Sequence, residues 1–401
     1  MRSRLARWRE IARAELLDQP GGRFDALDGL RALGVLLVLF YHCALSVGLA
    51  SAPPRGLVER FMAGGWIGVD LFFVLSGFLI GRILLEQLER GGVRFGAFYL
   101  RRGFRIFPAY YAMLTLSVLV FARLPAYSAL FGGAAWPDLA RRSAANYLYI
   151  SNYAFGREIP NAFSWGWSLC VEEHFYLLLP ACLALLDRFA PARARGPVLA
   201  AAALLPLAAR AVSYARDPAR LVVDGPYYQS HAHADGLLLG VLIAYAYVHA
   251  RPALSRAAAR LGNSVWLAGL ACLAATYAWG GLWSPGFFPF VFQLFALAVG
   301  GGLLIVNGLV LKNAATRLLA SPLWRPVARV SYGMYLVHPL AIFSVFACWP
   351  ALGAAASVST PHLLAYAAAS FALTFASALV LLFSVERPLL ALGARLAGRG
   401  G

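Results

Sequence analysis

An all-α polytopic membrane protein with about ten transmembrane helices is the fold class this sequence predicts, and three observations predict it. The 401 residues are 61% hydrophobic and 13% charged, about half the charged fraction of an ordinary soluble domain. Their mean hydropathy is +0.67. Ten apolar stretches, at 29–49, 66–86, 107–124, 167–186, 197–215, 230–249, 263–280, 289–311, 330–349 and 363–385, are each long enough for a hydrocarbon layer of about 30 Å. The basic residues collect between those stretches, where orientation signals belong.

With both termini cytoplasmic, the cytoplasmic segments hold 26 of the 35 basic residues, and the outer loops 281–288 and 350–362 hold none. The net charge of +17 is therefore read as orientation in a lipid bilayer, not as a nucleic-acid surface. Cys43, Cys170, Cys182, Cys272 and Cys348 lie in or beside apolar runs without a CxxC pair, so neither a disulfide framework nor a metal site is expected. Residues 1–24 form a basic N-terminal segment in which Leu5, Trp8, Ala12 and Leu16 share one helical face. An interfacial helix on an anionic leaflet and a basic leader without fixed structure both fit it. Residues 25–390 form the transmembrane domain, and 391–401 a cytoplasmic tail.

Polar residues inside the apolar stretches carry the functional reading, because each is costly in hydrocarbon without a partner or a task. In the first stretch Arg31 and His42 are eleven residues apart, about three helical turns and about 16 Å along one face, with Asp28 a turn before the arginine. A capped helix end and a histidine bonded to a neighbouring helix would explain the same residues. The second stretch carries Asp70 near its outer end and Ser76–Gly77 near its middle, a small pair suited to close helix packing. Before the third, FGAFYLRRGFRIFPAYY places Arg101, Arg102 and Arg105 among aromatic residues; forked guanidinium pairs suit phosphate oxygens, and lipid headgroups would satisfy them too.

The fourth stretch, SWGWSLCVEEHFYLLLP, carries Glu172, Glu173 and His174, with Tyr176 one turn beyond Glu172. Two adjacent carboxylates imply a watery cavity or internal partners. The sixth opens QSHAHADGLLLGVLIAY, with His233 and Asp235 in its outer half and Gly236 and Gly240 spaced for packing. Residues two apart on a helix diverge by about 200°, so H-x-H-x-D makes a poor metal site, whereas a paired imidazole and carboxylate can orient a proton acceptor. In the ninth, RVSYGMYLVHPLAIF, Pro339 is expected to bend the helix, with His338 as a structural histidine at the bend. The depth order runs from cytoplasmic arginines through His42 near the midplane to Asp70, Glu172, His233 and Asp235 on the outer side.

Taken together, LDGLRALGVLLVLFYH, GVDLFFVLSGFLIGR, FYLRRGFRIFPAYY, WSLCVEEHFYLLLP, HADGLLLGVLIA, SYGMYLVHP and the closing VERP span residues 27 to 388. In content and order they resemble the acyltransferase-3 family of membrane-bound O-acyltransferases. The resemblance implies transfer of an acyl group, usually acetyl, from cytoplasmic acyl-CoA to a hydroxyl of a glycan or small-molecule acceptor outside the cytoplasm or linked to the membrane. It implies an inner (plasma) membrane location, acetyl-CoA or another acyl-CoA as donor, and no metal. His42 matches the family's essential histidine, Arg31 its partner arginine, Arg102 and Arg105 its R-x-x-R pair, and Glu172 its acidic position. His233 departs from a position where the family pattern has arginine. No C-terminal SGNH-type esterase domain follows, so one-stage transfer is expected.

The expected scheme has Arg101, Arg102 and Arg105, helped by Arg31, holding CoA, and His42 acting as general base. Arg31 and Glu172 complete the catalytic set, and Asp70, Glu173, Tyr176, His233 and Asp235 bind the acceptor. The competing reading is a proton-coupled secondary transporter or flippase for a glycan precursor, with Glu172, His233 and Asp235 as a relay.

Overall fold

The computed structural model describes residues 15–17, 24–49, 56–125, 127, 133–154, 161–278, 281–349 and 358–398. The basic segment expected over 1–24 lies almost wholly outside them. Among the described residues there is no strand.

The first apolar run forms α1 (Asp25–Ser46), with Asp25 and Asp28 in its first turn, where carboxylates complement the helix dipole. A short helix (Leu57–Ala63) and a 3-10 turn (Gly64–Ile67) lead into α2 (Gly68–Glu89). Next come α3 (Phe95–Leu119) and α4 (Trp167–Phe189). The fifth stretch is broken into α5 (Ala192–Ala202) and α6 (Leu205–Arg216), with Pro206 in the first turn of α6. α7 (Asp235–His249) meets α8 (Arg251–Leu261) at 109°, since Pro252 opens the second helix and cannot continue the backbone ladder of the first. The remaining long helices are α9 (Ser264–Ala278), α10 (Phe287–Val310), α11 (Arg325–Ala347) and α12 (Thr360–Leu381). A π-turn, Leu382–Glu386, carries the chain from α12 into a last helix, Arg387–Gly398, so residues 391–398 of the expected tail are helical.

All ten apolar stretches therefore contain helix. Among the described residues eight are long and apolar enough to cross a membrane, or nine if α7 and α8 count as one bent span. α7 and α9 have 15 residues each, about 22 Å of rise, and fall short of a full crossing.

The helices approach closely where side chains are absent. A Cβ on Gly77 of α2 would lie 2.0 Å from the Leu237 carbonyl oxygen of α7, and one on Gly240 would lie 2.3 Å from the Val74 oxygen. Both contacts are with backbone, which cannot swing aside. Gly77→Val is accordingly expected to cost roughly 1–3 kcal/mol or more, read as a lower thermal midpoint in detergent, whereas Gly91→Ala, in open space, tests only its positive φ of 108°. α1 and α11 lie side by side and parallel: Arg325 approaches Asp25 at 3.8 Å at one end, and His338 meets His42 toward the other.

Candidate active site

Five helices line a cavity of ≈ 150 Å³ that holds several charged and polar side chains on a largely apolar wall. α1 supplies Arg31, α3 supplies Arg102 and Arg105, α4 supplies Ser168, Glu172 and Tyr176, and α11 supplies Ser331, Tyr332 and Tyr335. The α2 wall runs from Val69 through Phe72, Phe73 and Ser76 to Ile80, about 16 Å along the helix. A long, narrow space with cations at one end is the result.

Its charges are held from several sides. Arg31 Nη1 donates to Asp28 Oδ1 at 2.9 Å, one helical turn back, which orients the guanidinium toward the cavity. The Arg102 guanidinium lies 4.1 Å from the centre of the Tyr176 ring, a cation–π contact, and its Nε is buried without a partner. The Glu172 carboxylate is within hydrogen-bonding reach of the Ser76 and Tyr176 hydroxyls, in the field of Arg102 and Arg31. Ser76 Oγ and Tyr176 Oη are themselves 2.5 Å apart. Arg105 sits in the field of Glu386, the buried carboxylate of the π-turn. Tyr335 donates to the Trp165 carbonyl at 3.0 Å, so the 2.5 Å contact with Ser168 is a bond that Ser168 donates.

The structure thus brings Arg31, Arg102, Arg105, Glu172 and Tyr176 together. It does not bring the other expected residues to the cavity wall. Arg101 is exposed and is absent from the cavity lining, although it lies one turn from Arg105 on α3. Glu173 is absent from the cavity lining, in the field of Arg102 and near Tyr110, Tyr111, Tyr149 and Tyr332, and one of its carboxylate oxygens is buried without a partner. His42 lies four residues before the end of α1, about 6 Å from that end. The helix starts and stops three to four residues earlier than its apolar run suggests. His42 Nδ1 donates to the Val38 carbonyl at 2.9 Å, so its Nε2 carries the lone pair. Between it and the cavity stands His338, 4.6 Å from His42 and 5.5 Å from Tyr335, ring centre to ring centre.

Asp70, His233 and Asp235 form a separate buried cluster, and the expected pairing of His233 with Asp235 is replaced by two others. His233 Nε2 is 2.9 Å from Asp70 Oδ1, while its Nδ1 donates to the Tyr227 carbonyl. With Nδ1 carrying a hydrogen, the contact to Asp70 requires one proton between the two atoms. Asp235 takes both Arg210 Nη1 at 2.7 Å and Arg210 Nη2 at 2.8 Å, and Arg210 also donates to Val291 and Ala232 carbonyls. Arg210 is 0% exposed. Its role was hidden in the sequence because it lies 25 residues from its partner, on a different helix. Removing one member of such a buried pair strands the other charge, so Arg210→Met is expected to lose about 3–5 kcal/mol of stability. A thermal melt checks it, and Arg210→Met with Asp235→Leu should recover part of the loss.

Among the described residues no group of three or more His, Cys, Asp or Glu side chains is placed to hold a metal. Cys43 is buried beside Ser370, facing away from the cavity.

The family model for an acyltransferase domain, acyltransferase-3, matches residues 24–382. The chain belongs to the acyltransferase-3 family. It is 28% identical over 334 residues to peptidoglycan O-acetyltransferase OatA of Listeria monocytogenes, covering 78% of this chain and 48% of that protein. It is also 28% identical over 343 residues to YrhL of Bacillus subtilis, named as a candidate peptidoglycan O-acetyltransferase, covering 79% and 48%. The chain spans about half the length of these two relatives. No solved structure matches it significantly. The acyltransferase-3 match covers every helix that lines the cavity.

Proposed function

We propose that this protein is an O-acyltransferase that moves an acyl group, acetyl in the first instance, from cytoplasmic acyl-CoA to a hydroxyl of a glycan or glycan precursor on the far side of the plasma membrane. The observation that carries the reading is the convergence of Arg31, Arg102 and Arg105 on one elongated cavity that also holds Glu172. CoA is a polyanion with a long flexible arm. Arg102 and Arg105 take its phosphates, since guanidinium forks match phosphate oxygens, and the arm lies along the α2 wall. Arg31 joins them at the donor end of that path, and the Tyr176 hydroxyl lies beside Glu172 further along the wall.

The acceptor approaches from the His42 end. Its oxygen attacks the thioester carbon, and the hydroxyl proton passes to His42 Nε2. The C–S bond then breaks, and the CoA thiolate leaves and recovers the proton. Both termini are cytoplasmic in this scheme, which puts the arginine end of the cavity on the donor side. The names of the relatives favour a glycan acceptor. A proton relay through Glu172, His233 and Asp235 would need these groups to exchange protons freely. The bidentate Arg210–Asp235 bond and the Asp70–His233 pair weigh against it.

Mass spectrometry of envelope glycans from a strain lacking the gene tests the assignment. Ester-linked acetyl groups should disappear from one glycan class and return with the wild-type gene. Acetylation unchanged in every class would refute it.

A further inference from the structure

We propose that His338 is a positioning residue for His42, an inference that rests on the reading of His42 as the base. Pro339 has no N–H, which leaves the Tyr335 carbonyl one turn back without its helical donor. His338 Nδ1 donates to that carbonyl at 2.7 Å. The bond fixes the tautomer, so His338 Nε2 is a lone pair. It belongs to a side chain that is 0% exposed and it has no hydrogen-bond partner. A structural histidine needs only the first nitrogen. The second is a buried basic atom held at a cost, and its ring stands 4.6 Å from that of His42 at 73°.

The two imidazoles have the same internal arrangement. Each gives its Nδ1–H to a backbone carbonyl of its own helix, Val38 for His42 and Tyr335 for His338, and each keeps Nε2 basic. His338 therefore confines the His42 ring to one orientation. It also offers a second nitrogen for the proton that His42 takes from the attacking hydroxyl, until the departing thiolate claims it. Tyr335, the next ring in the series, already lines the donor cavity, so His338 joins the base to the cavity wall. The titratable groups facing His338 are His42 on α1 and Tyr335 on its own helix. On the helices around them, Cys43 bonds Ser370 and Tyr366 bonds Ser46.

The test compares wild type, His338→Phe, His338→Gln and His42→Ala as full-length protein in nanodiscs, with acetyl-CoA and a glycan acceptor. His338→Phe should lose about 10- to 100-fold in kcat, a part of the 10²–10⁴-fold that general-base catalysis contributes, with KM for acetyl-CoA unchanged. His338→Gln, which keeps a polar atom near Nε2, should recover part of the loss. Wild-type kcat in His338→Phe beside an inactive His42→Ala overturns the proposal and leaves the base in place. So does a change confined to KM. An active His42→Ala removes the reading on which it rests. If His338→Phe does not fold, the kcat of His338→Gln decides: a reduced kcat at unchanged KM supports the role, and a wild-type kcat overturns it.

Discussion

Replacing His42 by alanine is expected to abolish acyl transfer, with a loss of about 10²–10⁴-fold in kcat, the range that general-base catalysis contributes. Folding should survive. The ring is only half-buried, and its one hydrogen bond among the described residues, to Val38, is local to α1. The variant should therefore melt with wild-type cooperativity and still bind acetyl-CoA, because His42 is absent from the cavity wall where the arginines are. Binding retained with turnover lost is the signature of a group acting on the reaction. Loss of both would mark His42 as part of the donor site.

The arginine pair predicts the opposite division. Arg102→Ala with Arg105→Ala should raise KM for acetyl-CoA strongly. Each charge-assisted contact contributes about 1.5–3 kcal/mol, so each should cost about 10- to 100-fold in donor affinity. The effect of salt should fall in parallel, because screening weakens what the guanidiniums supply. Arg102→Lys should restore only part, since a point charge cannot reproduce the planar fork or lie as well over the Tyr176 ring. Isothermal titration with acetyl-CoA at two ionic strengths separates these terms. Arg101→Ala serves as the comparison and should cost less than either, its side chain being exposed and absent from the cavity lining.

Much of this architecture was legible before any coordinates, and the reasons are physical. A segment that is apolar for about 20 residues has few options other than a buried or membrane-spanning helix, so the ten stretches all proved helical. Arg31 and Glu172 stood out because a charge in such a segment must be explained, and Arg102 because it belongs to a cluster of three arginines among aromatic residues. What the sequence hid depends on packing between distant helices. Asp70 and Asp235 each had a partner available in several directions, and only the assembled bundle assigns His233 to one and Arg210 to the other. Glu386 read as the end of a motif until the π-turn folded it toward Arg105. The bounds of α1 were three to four residues off because the ends of a helix are invisible in hydropathy. His338 was correctly seen as filling a gap made by Pro339, but its second nitrogen acquires meaning only when α1 lies alongside.

The central claim is that a donor held in the arginine-lined cavity gives its acyl group to an acceptor that enters from the His42 side. It is tested most directly with purified protein in proteoliposomes, supplied with acetyl-labelled CoA on the arginine side and a glycan acceptor on the other. The account predicts labelled glycan and free CoA in equal amounts, both absent without acceptor and both lost in His42→Ala. Movement of glycan across the bilayer with no CoA released and no label transferred would contradict it.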